Sequence, residues 1–70
     1  MTEKELSKLE EGSIIIRNGK KYIVVYVDDI LGFGMKYGLI RLYNHWTPIV
    51  RFVKEVLSED VEKYYKLIKP

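Results

Sequence analysis

The chain contains no cysteine, which excludes both a disulfide framework and a thiolate metal site as staples for so short a fold. Histidine occurs once, at His45, and no third carboxylate clusters with the adjacent Asp28 and Asp29. A metal centre therefore has too few ligands to be expected, and the two aspartates read as solvated loop acids. Only Ser7, Ser13 and Ser58 supply a serine hydroxyl, and none lies in a nucleophile-elbow motif. Gly32-Phe33-Gly34 lacks the Gly-Lys-Ser/Thr ending of a phosphate loop. The expectation is a protein that is not an enzyme and that carries no cofactor.

Long apolar runs are also missing. Nothing approaches the roughly 20 residues of a membrane-crossing helix, and Met1-Thr2-Glu3-Lys4-Glu5 has neither the basic start nor the apolar middle of an export signal. Those absences predict a cytoplasmic location and no membrane partner. What is present is a folding composition: 47% hydrophobic and 13% aromatic residues, six of them tyrosine, in 70 residues. A disordered chain is far poorer in aromatics. At this length a single domain, residues 1–70, buries only roughly 60% of the surface its unfolded chain exposes. The net charge is +2, concentrated in residues 13–54, where seven bases meet two acids. That excess suits an anionic partner, but it is thinner than the basic stripe of a dedicated nucleic-acid binder.

Thr2 followed by Glu5 fits a capping box, and Gly12 supplies a stop, so a short helix is expected over 3–11. Ser13-Ile14-Ile15-Ile16-Arg17, then Asn18-Gly19, then Lys20 to Val27 predicts a β-hairpin with a type I′ turn, because Asn-Gly accepts the two positive φ angles. Residues 28–34 read as a loop and Met35–Tyr43 as a third strand. Pro48 breaks the chain after Asn44-His45-Trp46-Thr47, with Trp46 anchoring the sheet edge or contributing to a binding cleft, and Phe33 plugging an open end of the core or wedging into a partner. In the last third, Ile49–Val53 and Tyr64–Ile68 are β-prone, and Ser58-Glu59-Asp60 reads as a turn between them. The same stretch also places Val50, Val53, Leu57, Val61, Tyr64 and Ile68 at helical spacing. Two folds follow. The first is mainly β, about five strands with a short N-terminal helix. The second is α+β, a three-stranded antiparallel sheet with a C-terminal helix over about 48–68.

The first pattern resembles an SH3-like small barrel. Gly12-Ser13-Ile14-Ile15, Asn18-Gly19 with Lys20–Val25, and Leu39-Ile40-Arg41-Leu42 followed by Trp46 carry the likeness, which is shared with small-barrel accessory proteins of bacteriophages and other mobile elements. The resemblance implies no catalytic motif. The acidic loop and paired tryptophans of proline-peptide binders are missing.

Register about Asn18-Gly19 sets Arg17 opposite Lys20, Ile16 opposite Lys21, Ile15 opposite Tyr22 and Ile14 opposite Ile23. Alternation then assigns the faces. Ile14, Ile16, Ile23, Val25 and Val27 are expected in the core, with Ile40 and Leu42 beside them. The opposite face collects Arg17, Lys20, Tyr22, Tyr26, Tyr37, Arg41 and Tyr43, together with Ser13, Ile15, Val24 and Leu39. Those seven form the candidate binding site, because tyrosine and arginine dominate interaction hot spots. Tyrosine equally suits a half-exposed strand without any partner. The functional expectation is a protein-interaction module docking this face, or a sheet edge, onto a host protein. The alternative is a nucleic-acid-binding barrel with steep salt dependence. A third possibility is self-association through sheet edges.

Overall fold

The computed structural model describes residues 1–31, 34–43, 47–48 and 53–70. Its elements are α1 (Glu3–Leu6), β1 (Ile14–Arg17), β2 (Lys20–Ile30), β3 (Gly34–Tyr43), β4 (Thr47–Pro48), β5 (Lys54–Leu57), α2 (Ser58–Tyr64) and β6 (Lys66–Lys69). All strand pairs are antiparallel, in the order β4-β3-β2-β1-β6, with β5 also on β3. β4 pairs with Leu42 and Tyr43, and β5 with Lys36 to Leu39. The two short strands thus share one edge of β3, and the sheet has five positions. Among the described residues no pairing joins β5 to β6, so the sheet is open.

The mainly β expectation holds, and the long C-terminal helix does not. Among the described residues of that stretch only Ser58–Tyr64 is helical, because Lys54–Leu57 before it is drawn into pairing with β3. Val53 lies outside any strand, and of the expected strand Ile49–Val53 the other residues lie outside the described ones. Phe33, His45 and Trp46 also lie outside them, and so do the roles expected for them.

The N-terminal helix is a single turn, shorter than expected. Its capping box is complete: the Glu5 N–H donates to Thr2 Oγ1 at 3.1 Å and the Thr2 N–H to Glu5 Oε1 at 2.9 Å. The Thr2 N–H first, and the Thr2 hydroxyl second, hold the Glu5 carboxyl below its ordinary range. The Met1 ammonium donates to the carbonyls of Glu62 at 2.8 Å and Tyr65 at 2.9 Å. A positive charge at the C-terminal end of α2 is favoured by the helix dipole. This contact ties the N-terminus to the end of α2.

The hairpin register is as the sequence predicts: Arg17↔Lys20, Ile16↔Lys21, Ile15↔Tyr22, Ile14↔Ile23. Asn18 at φ 51° and Gly19 at φ 75° supply the left-handed turn. The faces, however, are inverted at this end. The core consists of Leu9, Ile15, Val24, Tyr37, Leu39, Val56, Val61 and Tyr65, with Met1, Leu6, Tyr22, Val27, Met35 and Leu67 packed against it. Ile14, Ile16 and Ile23 are half-buried on the opposite side, where Ile40 is buried across the strand from Ile23.

Two features decide this. Ser13 is fully buried beside Ile15, and its hydroxyl accepts the Glu10 N–H at 3.0 Å, so this polar side chain enters the core already hydrogen-bonded. Second, Val24 pairs with Leu39 and Tyr26 with Gly38, leaving Val25 as an extra residue in β2. Such a bulge shifts the alternation by one. Beyond it Val27 turns to the core, as expected, and Tyr26 turns away. β2 also runs three residues beyond Val27, since Asp28, Asp29 and Ile30 pair with Lys36, Met35 and Gly34 rather than forming a loop.

Candidate functional site

The seven residues of the expected sheet-face site do not form one surface. Tyr37 is 3% exposed in the core, and burial pushes its hydroxyl pKa up. Tyr22 packs edge-on against Tyr65, with ring centroids 5.7 Å apart and planes at 74°. Arg41 pairs with Tyr22 along β3 and is half-buried. Tyr43 pairs with Thr47 in the backbone, and its side chain lies outside the described residues. Tyr26 is on the opposite face. Only Arg17 and Lys20 remain together at the turn.

Tyr26 belongs to a polar cluster on the outer side of the β2–β3–β5 region. Its hydroxyl donates to Glu55 Oε2, and Lys36 Nζ lies 2.8 Å from the same oxygen and 4.0 Å from Asp28 Oδ2. Gly38 lies directly under the Tyr26 ring, where a Cβ would overlap it. Lys36 first, and Tyr26 second, hold the Glu55 carboxyl below its ordinary range, and the hydrogen bond to Glu55 raises the pKa of both partners. Every charge here is answered within the cluster.

The other end of the hairpin is different. A cleft of about 360 Å³ is lined by Ile16, Arg17, Asn18, Gly19, Tyr64 and Lys66. Three elements build it: the type I′ turn gives the backbone of Asn18 and Gly19, the exit of α2 presents Tyr64, and the first residue of β6 presents Lys66. Tyr64 and Tyr65 are consecutive yet opposite in fate, 46% and 1% exposed. The chain passes there from helix into extended structure, with Tyr65 at ψ 154°. Tyr65 enters the core under Arg17, and Tyr64 forms the outer wall.

Arg17 is the hinge of the arrangement. Its guanidinium carbon sits 4.6 Å from the Tyr64 ring centroid and 5.7 Å from that of Tyr65. Stacking of this kind orients the guanidinium and leaves its N–H edge available. Lys63 Nζ lies 5.3 Å from the Tyr64 ring, and Lys20 faces Arg17 across the ladder. Like charges directly opposed on a sheet disfavour the pairing. Neither of the ion pairs found among the described residues, Lys36 with Asp28 and with Glu55, involves Arg17, Lys20, Lys63 or Lys66. These four cations give this end of the molecule a positive cluster with no direct ion pair among the described residues.

Tyr64 and Lys66 were absent from the sequence-based site, which placed both in a strand without assigning them a surface. The Tyr64-Tyr65 doublet carried the usable signal, because adjacent side chains at the start of a strand point to opposite sides. Among the described residues no group of three or more His, Asp or Glu side chains converges in a way that could hold a metal ion. No helix among them is long and apolar enough to cross a membrane. No family model, no curated protein and no solved structure matches this chain.

Proposed function

We propose that this protein is a non-enzymatic protein-interaction module that receives an acidic segment of a partner protein in the cleft between the β1–β2 turn and the α2–β6 junction. The observation that carries this reading is a cleft with aromatic and aliphatic walls lined by Arg17 and Lys66 and flanked by Lys20 and Lys63, none of the four in an ion pair among the described residues. A partner carboxylate there relieves the Arg17–Lys20 repulsion, and opposed charges across an interface steer encounter and fix register. The fold fits the same reading at a finer level than its strand content. The order β5-β3-β2-β1-β6, a bulged second strand and a short helix before the last strand support an SH3-like small barrel, an architecture that hosts binding functions of several kinds.

The same cations favour nucleic acid as the second reading, with Arg17, Lys20 and Lys66 on phosphates. Against it, one face of the exposed tyrosine is occupied by Arg17, which weakens Tyr64 as a stacking platform. The experiment is an amide NMR titration of the labelled chain with a short peptide of alternating Glu and Val, and separately with oligothymidylate, at low and moderate salt. The expected result is saturable peptide-induced shifts at Arg17–Lys20 and Tyr64–Lys66. Shifts at those residues with oligothymidylate alone, weakening steeply as salt rises, would select the nucleic-acid reading. Absence of shifts there with either ligand would remove the cleft as a site.

A further inference from the structure

The geometry points to Arg17 as the specificity-determining residue of this cleft, and to a single carboxylate with an adjacent apolar side chain as the feature it recognises. This rests on the reading of the cleft as a protein-binding site and names what that site selects.

Three observations converge. First, Arg17 is held in place by two rings rather than by hydrogen bonds. Tyr65, fixed in the core, lies 5.7 Å from its guanidinium carbon, and Tyr64 lies 4.6 Å away. Among the described residues no side-chain, carboxylate or carbonyl acceptor takes its N–H donors. A guanidinium fixed through its face keeps its planar fork for a ligand, and that fork matches the two oxygens of a carboxylate. Little side-chain entropy remains to be lost when the ligand arrives, which favours binding.

Second, the cleft is small. A volume of about 360 Å³ lies at the low end of the range of ligand pockets. It accommodates a feature of one or two side chains and not a length of phosphodiester backbone, which is gripped by cations repeated along a groove.

Third, the walls are chemically divided. Lys66 supplies a second point charge in the lining, while Ile16 and the Tyr64 ring offer apolar surface. An acidic residue beside a valine, leucine or phenylalanine satisfies both parts at once.

The test uses the full chain with the Glu-Val peptide and its Gln-Val counterpart. Fluorescence anisotropy of the labelled peptides measures affinity, and NMR shifts locate it. Arg17→Lys keeps the charge and removes the fork, so the expected loss is about tenfold or more, the difference between a bidentate pair and a point charge. Lys66→Gln, at an exposed position, is expected to cost only a few-fold, and the Gln-Val peptide to bind neither protein measurably. Inorganic phosphate is expected to compete weakly, because it lacks the apolar neighbour.

Arg17→Lys binding the Glu-Val peptide as tightly as the unaltered protein would overturn the inference. So would equal binding of the Gln-Val peptide, or full competition by inorganic phosphate at the peptide's own concentration. If cleft shifts persist with the Glu-Val peptide while Arg17→Lys is silent, only the role of Arg17 fails. If the shifts lie elsewhere, the cleft reading itself fails. A thermal unfolding curve for Arg17→Lys, which also loses its stacking on Tyr65, separates lost binding from lost fold, and Lys66→Gln gives a second value free of that complication.

Discussion

Glu55 answers two partners with one oxygen: the Tyr26 hydroxyl donates to it and the Lys36 ammonium pairs with it. Its carboxyl is held low by Lys36 and then Tyr26. A carboxyl depressed in the folded state contributes stability above its unfolded pKa and loses it as pH falls through the folded value. The Tyr26 hydroxyl and Lys36 ammonium are both raised, so their contribution is complete at neutral pH and is lost as pH rises through their folded values. All three groups are exposed enough for salt to screen them. Glu55→Gln is therefore expected to flatten part of the stability loss below about pH 4, where glutamates titrate. Urea unfolding midpoints measured across that range check it, and the part that remains belongs in some measure to Glu5, whose carboxyl is also held low.

Strands β1 to β3 show how far an element can be read before it is seen. Asn18-Gly19 fixed the register of β1 against β2 to the residue, because a two-residue turn with positive φ leaves only one way to pair the arms. The face was another matter. Ile14, Ile15 and Ile16 are apolar on both sides of β1, so alternation had nothing to alternate against, and the buried Ser13 pointed the wrong way until its local hydrogen bond was known. The bulge at Val25 was hidden for a similar reason. Tyr22 through Val27 are all good strand formers with no punctuation, and the only mark of the shift is Gly38 on the facing strand. The cleft suffered in proportion: Arg17 and Lys20 were legible from the turn, whereas Tyr64 and Lys66 reach it only through the path of the chain after α2. Because Gly38 makes room for the Tyr26 ring, Gly38→Ala forces ring or backbone to move. The expected cost is about 1–3 kcal/mol, typical of overpacking, read as a lower urea midpoint with an unchanged m-value. Tyr26→Ala combined with it is expected to recover part of the loss, since the ring that clashes is then gone.

For the molecule as a whole, charge and edges are arranged apart. The positive end lies at the β1–β2 turn, while the Glu55 cluster neutralises itself around the far half of β2. The outer strands β4, β5 and β6 are poor templates for another chain, β4 being only the two residues Thr47–Pro48. β6 is four residues long, carries Lys66 and Lys69, has an irregular register with β1 and is followed by Pro70, and β5 is four residues long with Lys54 and Glu55 exposed. Short, charged or bulged edges work against edge-to-edge pairing.

The pairing of β1 with β6 also sets a timetable. β2 meets β3 through contacts that begin at Ile30 and Gly34, close along the chain, whereas Ile15 meets Leu67 across about fifty intervening residues. Closing so large a loop costs more entropy than zipping a hairpin, and it rewards the chain only once the loop is closed. Pulse-labelling hydrogen exchange during refolding is expected to protect the amides of Val27 and Tyr37 before those of β6, and simultaneous protection would contradict it. The cleft, which needs Tyr64 and Lys66 brought to the β1–β2 turn, is then the last part of the molecule to exist. If the cleft receives an acidic segment as proposed, a newly made chain cannot bind it until β6 has docked.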